Sequence, residues 1–312
     1  MSVLFIDRVA PRPYTLETLR TEGLGGTEAT VLRVIKGLGA HMSVAHDHTD
    51  RVEIDFKANH IVCLRDPQTL IEARMRFPNA KLWLWCHDLA GRELGLALPL
   101  LKELAAGLIC VSDYHRTQTS EVLRSFGYTG EFPIRRIYNP IDEDLKPNAT
   151  EYDKNKLVWF SSPHKGLENA IQIFRNLKSF NPDFKLYVAN PGYFPSAVLE
   201  EPGVVNLGAL PHHSVIEHVR TALCSFLPNN IFPETFGLVF AESNAVGTPV
   251  IAHAHGAARE VLDHPSEVMD CRDVVTVIDR VMAWHSGERP IVRANPEFRT
   301  TRVVQEWLKV LK

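Results

Sequence analysis

The chain has 312 residues, enough for two domains of ordinary size. Its composition, 45% hydrophobic, 23% charged and 9% aromatic, is that of a soluble globular protein. A formal charge of -3, from 34 Lys+Arg against 37 Asp+Glu, lacks the basic excess of a nucleic-acid protein, so no nucleic-acid partner is expected.

The five cysteines, Cys63, Cys86, Cys110, Cys224 and Cys271, are odd in number and widely spread. Several lie in apolar runs such as GLICVS and read as buried reduced thiols, not as a disulfide framework. No CxxC occurs, so no structural zinc site is expected. The opening MSVLFIDRVAPRP reads as a short strand and a loop without a basic-then-apolar leader. No apolar run approaches the roughly 20 residues of a membrane span. These features predict a cytoplasmic protein, for which peripheral membrane association is the membrane contact left open.

In chain order, apolar runs predict strands over 3–6, 60–64, 82–85, 108–111 and 136–138, then over 157–160, 185–188, 204–207, 224–227 and 250–252. Helix-length segments lie between many of them, over 28–39, 68–77, 113–126, 167–180, 214–222 and 236–246. Strands that are hydrophobic almost throughout, alternating with helices, imply parallel sheets covered on both faces. The polar NPIDEDLKPNATEYDKNK, residues 139–156, breaks the rhythm and reads as a linker between two strand sets of similar size. The last segment, PEFRTTRVVQEWLKVLK, reads as an amphipathic helix with Val303, Val304, Trp307, Leu308 and Leu311 on one face.

One stretch concentrates the chemistry. PETFGLVFAESNAVGTPVIA, residues 233–252, sets Glu234 and Glu242 eight positions apart around a helical run. Thr235 is predicted as its N-cap, with Gly247 at the C′ position and Pro249 beyond. Glu234 then falls at the carboxyl end of the strand in CSFLP, and Glu242 nearly two turns into the helix. Taken alone, the two read as a helix-dipole complement and a solvated charge; both pointing into a ligand cleft is the alternative.

The surrounding residues resemble the E-x7-E signature of retaining glycosyltransferases of family 4, the group 1 transferases of the GT-B fold. PNNIFPETFGLVFAESNAVGTPVIA carries Glu234, Phe236, Gly237, Glu242, Ala245, Gly247, Pro249 and Val250 in register with it. The resemblance implies two Rossmann-like, doubly wound parallel-sheet domains facing a cleft. It gives an acceptor-side domain over 1–142, a linker over 143–155, a nucleotide-sugar domain over 156–295 and a terminal helix over 296–312 crossing back to the first domain. It implies a hexosyltransferase-type enzyme of polysaccharide biosynthesis. The sugar would move from a nucleoside diphosphate sugar, a UDP- or GDP-sugar, to a hydroxyl of a glycan, a lipid-linked sugar or a small molecule. No metal and no further cofactor is implied.

Residue by residue, Glu242 would bind the ribose hydroxyls and Glu234 would lie at the donor sugar. Phe236, Gly237 and Leu238 would complete that donor segment. GLGGTEATVLRVIKGL looks like the Gly-Gly loop of the family, with Gly25 and Gly26 close to the donor. His87 in LWLWCHDLAG would orient donor or acceptor. Ser112 in ICVSDYHRTQ matches a helix N-cap, and IYNPID resembles the segment ending the first domain, with Pro140 in place of glycine. In LVWFSSPHKGLENAIQIF, Lys165 and Gly166 match the K-G pair that would neutralise the leaving diphosphate, but Ser161 and Ser162 stand where an arginine is usual. In AHAHGAAREVL, Gly256 and Glu260 match the next donor loop, whose second glycine is Ala257 here, and His253 and His255 beside it read as polar lining.

Two further clusters carry less. His46, Asp47, His48 and Asp50 in AHDHTD are ligand types for a metal but read as a surface loop, and Asp142, Glu143 and Asp144 read as solvated linker charge. Two rival functions remain: another GT-B activity such as sugar-nucleotide epimerisation, and a non-catalytic member binding a glycan or partner.

Overall fold

The structure, a computed structural model, describes residues 1–48, 56–190 and 201–312. The chain forms two compact units: Met1–Leu16, Thr27–Pro140 and Glu297–Lys312 make the first, Glu17–Gly26 and Ile141–Pro296 the second.

In the first unit six parallel strands, β1 (Ser2–Ile6), β2 (Ser43–Asp47), β3 (His60–Leu64), β4 (Lys81–Trp85), β5 (Gly107–Cys110) and β6 (Ile134–Arg136), lie in the order β2-β1-β3-β4-β5-β6. The connecting segments hold α1 (Thr18–Thr21), which groups with the second unit, and α2 (Gly26–Leu38), α3 (Thr69–Arg76), α4 (Arg92–Leu96), α5 (Leu98–Glu103) and α6 (Asp113–Ser125). Alternating side chains feed two cores because successive residues point to opposite faces of a strand. Leu4, Ile6, Ile61, Cys63, Leu82 and Leu84 pack on one face. On the other, Phe5 and Trp85 meet Trp307 of the last helix, α12 (Thr300–Val310), with ring centroids 5.8 and 4.7 Å from it.

The same helix presses on α2, where a β-carbon at Gly37 would stand 2.4 Å from Val304 Cγ2. Gly37→Ala is therefore expected to cost about 1–3 kcal/mol by overpacking, read as a lower midpoint in urea at unchanged slope. A wild-type midpoint would show that the two helices part without strain.

The second unit repeats the plan with β7 (Asp153–Phe160), β8 (Lys185–Ala189), β9 (Val204–Gly208), β10 (Ala222–Leu227), β11 (Val250–His253) and β12 (Val268–Met269), again all parallel. Its longer helices are α7 (Leu167–Phe180), α8 (His212–Arg220), α9 (Leu238–Ala245) and, beyond the single turn α10 (Ala258–Val261), α11 (Val274–Ala283). The strand order is β12-β11-β10-β7-β8-β9, so the chain winds one way from β7 and then the other way from β10.

Several boundaries differ from those predicted. Residues 45–47 of AHDHTD, expected in a surface loop, belong to edge strand β2 beside β1. The strand near 136–138 lies at Ile134–Arg136, and β7 begins at Asp153, inside the polar stretch read as linker. Ser112 does cap α6, accepting from His115 N at 2.9 Å. Thr235 does not cap α9: the helix starts at Leu238, and its N-cap is Gly237 at φ 84°.

Candidate active site

Where a parallel sheet reverses its winding, the loops leaving the two central strands diverge and open a crevice at their carboxyl ends. In the second unit those strands are β7 and β10. Residues 161–166 follow β7, residues 228–237 follow β10, and together they bring charge to the crevice.

Lys165 Nζ donates to both carboxylate oxygens of Glu234, at 2.9 and 2.8 Å. The Glu234 side chain is only 14% exposed, so it is not a solvated dipole complement. Trp159, Ser161, Leu227, Asn229, Val239, Phe240 and His255 line the recess with this pair. Burial lowers the pKa of His255, with its backbone contacts and Glu234 pulling the other way.

The supports of the pair are mostly backbone. Asn229 Oδ1 accepts from Ile231 N at 3.0 Å and Phe232 N at 3.1 Å, while its Nδ2 donates to Phe232 O at 2.7 Å. Asn169 of α7 donates to Pro228 O at 2.9 Å, tying that helix to the loop after β10. On the far side Ala257 N donates to Glu234 O at 2.9 Å, and Gly256 at φ 60° passes so close that a β-carbon there would lie 2.6 Å from that oxygen.

Glu242 sits one turn into α9 and is 5% exposed. Residues 240–246 are all buried, so the helix is core from Phe240 onward and a charge on it needs partners. His212 Nε2 donates to Glu242 Oε1 at 2.9 Å. The helix itself is anchored through its polar residues. Ser243 Oγ lies 2.7 Å from Ser225 Oγ of β10, and Asn244 Nδ2 donates to Glu267 Oε1 at 2.7 Å. Burial pushes the Glu267 carboxyl up to about 7, against the donors Asn244, His264 N and Val250 N.

The other candidates are placed as follows. Phe236 is 1% exposed and part of the core. Leu238 Cδ1 would stand 3.2 Å from a β-carbon at Gly26, which groups with the second unit. Neither Gly25 nor Gly26 takes a left-handed backbone. His87 belongs to the first unit, 6% exposed at the end of β4, its ring centroid 4.6 Å from that of Trp85. Burial, with Arg65 and His115 nearby, lowers its pKa well below the ordinary value, so the imidazole is neutral. Two further residues, Asn229 of the recess and His212 beside Glu242, gave no sequence signal. Asn229 lies in an unremarkable PNN, and His212 stands 30 positions from its carboxylate.

The AHDHTD cluster is structural where it is described. Asp47 takes the guanidinium groups of Arg8 and Arg76 at 2.7 and 2.6 Å, and His46 and His48 flank Tyr14, whose hydroxyl donates to Asp7 at 2.8 Å. Asp50 lies outside the described residues. Among the described residues no group of three or more His, Cys, Asp or Glu side chains is arranged to hold a metal. Among them, too, no helix is long and apolar enough to cross a membrane.

Residues 142–290, just under half of the chain, match the family described as glycosyl transferases group 1. An uncharacterized glycosyltransferase of Methanocaldococcus jannaschii is 28% identical over 159 residues, 50% of this chain and 42% of that one, so the match spans less than half of the relative. Three solved structures align with a TM-score of 0.64. HepE of Anabaena, in complex with UDP and glucose, is 16% identical with 100% of this chain and 99% of its own covered. Sucrose-phosphate synthase of Thermosynechococcus elongatus is 16% identical, with 99% and 94% covered. TarM of S. aureus is 12% identical, with 82% of this chain and 56% of its own covered.

The fold is GT-B.

Within this GT-B chain the matched segment takes in Lys165, Glu234, Phe236, Gly237, Leu238, Glu242 and Gly256. Gly25, Gly26 and His87 fall outside it.

Proposed function

We propose that the chain is a retaining glycosyltransferase of family 4 that takes a nucleoside diphosphate sugar in its second unit and transfers the sugar to a hydroxyl acceptor. The observation that carries the proposal is the meeting of Lys165 and Glu234 at the β7/β10 reversal, with Glu242 buried on the helix that follows. A lysine there offers a point charge to a diphosphate. A carboxylate eight residues on offers acceptors to a ribose cis-diol. UDP is the favoured base, since HepE is complexed with UDP and glucose.

In the reaction the bond from the anomeric carbon to the diphosphate oxygen breaks, and the acceptor oxygen bonds that carbon on the same face. The acceptor proton passes to the leaving phosphate. Lys165 stabilises the charge on the diphosphate, and Glu234 holds the sugar and offsets positive charge developing at the reacting carbon. Neutral His87 orients donor or acceptor by hydrogen bonding, and the first unit supplies the acceptor side. No metal is required by this scheme.

A thermal-shift screen against UDP-, GDP-, ADP- and dTDP-sugars tests the reading, because a ligand bound to the native state raises the melting temperature by mass action. One base is expected to stand out, and Glu242→Ala is expected to weaken that ligand on the order of tenfold by removing the diol's partner. No shift with any of the four would sink the proposal. A second reading, a non-catalytic glycan- or partner-binding protein, draws on the serines at 161 and 162 and on the engagement of Lys165 by Glu234. Turnover of any nucleotide sugar excludes it.

A further inference from the structure

Glu242 is buried on α9, and its carboxylate meets the imidazole of His212. We infer that His212 is a positioning residue for the nucleotide end of the donor, holding Glu242 in the orientation that receives the ribose hydroxyls; this rests on the donor reading above.

His212 opens α8 directly after Pro211, and its Nε2 lies 2.9 Å from Glu242 Oε1. The Glu242 side chain is 6% exposed and that of His212 is 32% exposed, so the pair runs inward from the surface. A buried carboxylate keeps its charge only with donors in reach, and the imidazole N–H is such a donor. It also fixes a side chain whose last torsion is otherwise broad. The bond from His212 engages Oε1 through a single N–H, and a carboxylate can accept from more than one donor at once.

The helix that carries His212 is held at its other end as well. Thr248 Oγ1, just beyond α9, donates to Val219 O in the last turn of α8 at 3.0 Å. Attachment at both ends sets the imidazole against α9 with little freedom. The neighbouring His213 is exposed and makes no comparable contact with α9 among the described residues, which makes it an internal control.

Loss of the imidazole acts on binding and not on chemistry, because the diol is remote from the reacting carbon. His212→Ala is expected to raise the UDP dissociation constant roughly tenfold, the scale of a lost hydrogen bond to a charged group. The donor KM rises with it, while kcat stays within about twofold. His212→Gln, whose amide N–H reaches a similar position, is expected to restore affinity to within about threefold, and His213→Ala to change nothing measurable. Isothermal titration with UDP, GDP and ADP reads the affinities, and steady-state kinetics reads the split. Unchanged UDP affinity in His212→Ala would overturn this inference alone, as would a fall in kcat at constant KM. If the unaltered chain binds none of the three nucleotides, the donor reading falls and the inference with it.

Discussion

Glu234→Gln is expected to lower glycosyl transfer on the order of a hundredfold or more, while tightening the binding of free UDP about three- to tenfold. The opposite signs follow from one contact. Lys165 donates to both Glu234 oxygens, so on the proposed reading the cation that serves the diphosphate is paired with the carboxylate that serves the sugar. A diphosphate arriving at the crevice competes with that carboxylate. Glutamine keeps the size and planarity of the side chain but removes its charge, and Lys165 then turns its full charge toward phosphate. The gain is modest because Lys165 is 33% exposed and water screens part of the attraction.

The loss in rate has a separate origin. Charge develops at the anomeric carbon in the transition state, and a preorganised carboxylate beside it is worth more there than in the ground state. Calorimetry with UDP and single-turnover rates with its sugar separate the two effects. Weaker UDP binding in Glu234→Gln, or transfer at the unaltered rate, would show that the pair does not stand between the phosphate and sugar subsites. On the proposed reading, donor binding and formation of the catalytic arrangement would be one event, handing Lys165 to phosphate and Glu234 to sugar.

How much of this was legible in the sequence depended on burial and on span. The strand HIVCL announced itself because both faces of β3 are covered and every residue on it is buried. The run LENAIQIFRNLKSF gave α7 to the residue, since its apolar positions repeat at helical spacing. Edge strand β2, SVAHD, has one buried residue in five and therefore no hydrophobic run to read. Helix α11 opens with VVTV, a β-branched stretch of low helix propensity. There Asp273 decides, accepting from Val275 N at 3.1 Å and from Thr276 Oγ1 at 2.6 Å.

The candidate site divides in the same way. Glu234 and Glu242 were legible because a single local segment carries both. Lys165 was legible through its K-G match, but its pairing with Glu234, 69 positions away, was not, and His212, 30 positions from Glu242, gave no signal, because only the winding of the sheet brings each to its carboxylate. Thr235 drew the cap assignment on residue preference, whereas the chain makes its turn two residues later. Gly237 tolerates the left-handed backbone, and a β-carbon there would meet the Phe240 ring at 2.5 Å.

Gly256→Ala is expected to cost transfer about a hundredfold although residue 256 need never touch substrate. Its β-carbon would stand 2.6 Å from Glu234 O and 2.8 Å from Glu234 N, and both are backbone atoms that cannot swing aside as a side chain would. The φ of 60° adds left-handed strain of roughly 1–2 kcal/mol for any L residue with a β-carbon. Relief requires the Glu234 segment to move, stretching the 2.9 Å bond from Ala257 N that now fixes it. A shift of that kind carries the carboxylate away from Lys165, and a misplacement of about 1 Å is enough for a hundredfold loss. Gly127→Ala separates strain from displacement, since Gly127 also has a left-handed φ, 94°, but a β-carbon there meets nothing within 4 Å. That variant is expected to lose about 1 kcal/mol of stability and no activity. Urea melts of both variants, set beside their transfer rates, decide the matter. Equal melts with full transfer in Gly256→Ala would mean that the loop yields without moving Glu234, and the close approach of these two backbones would then have no part in holding the carboxylate.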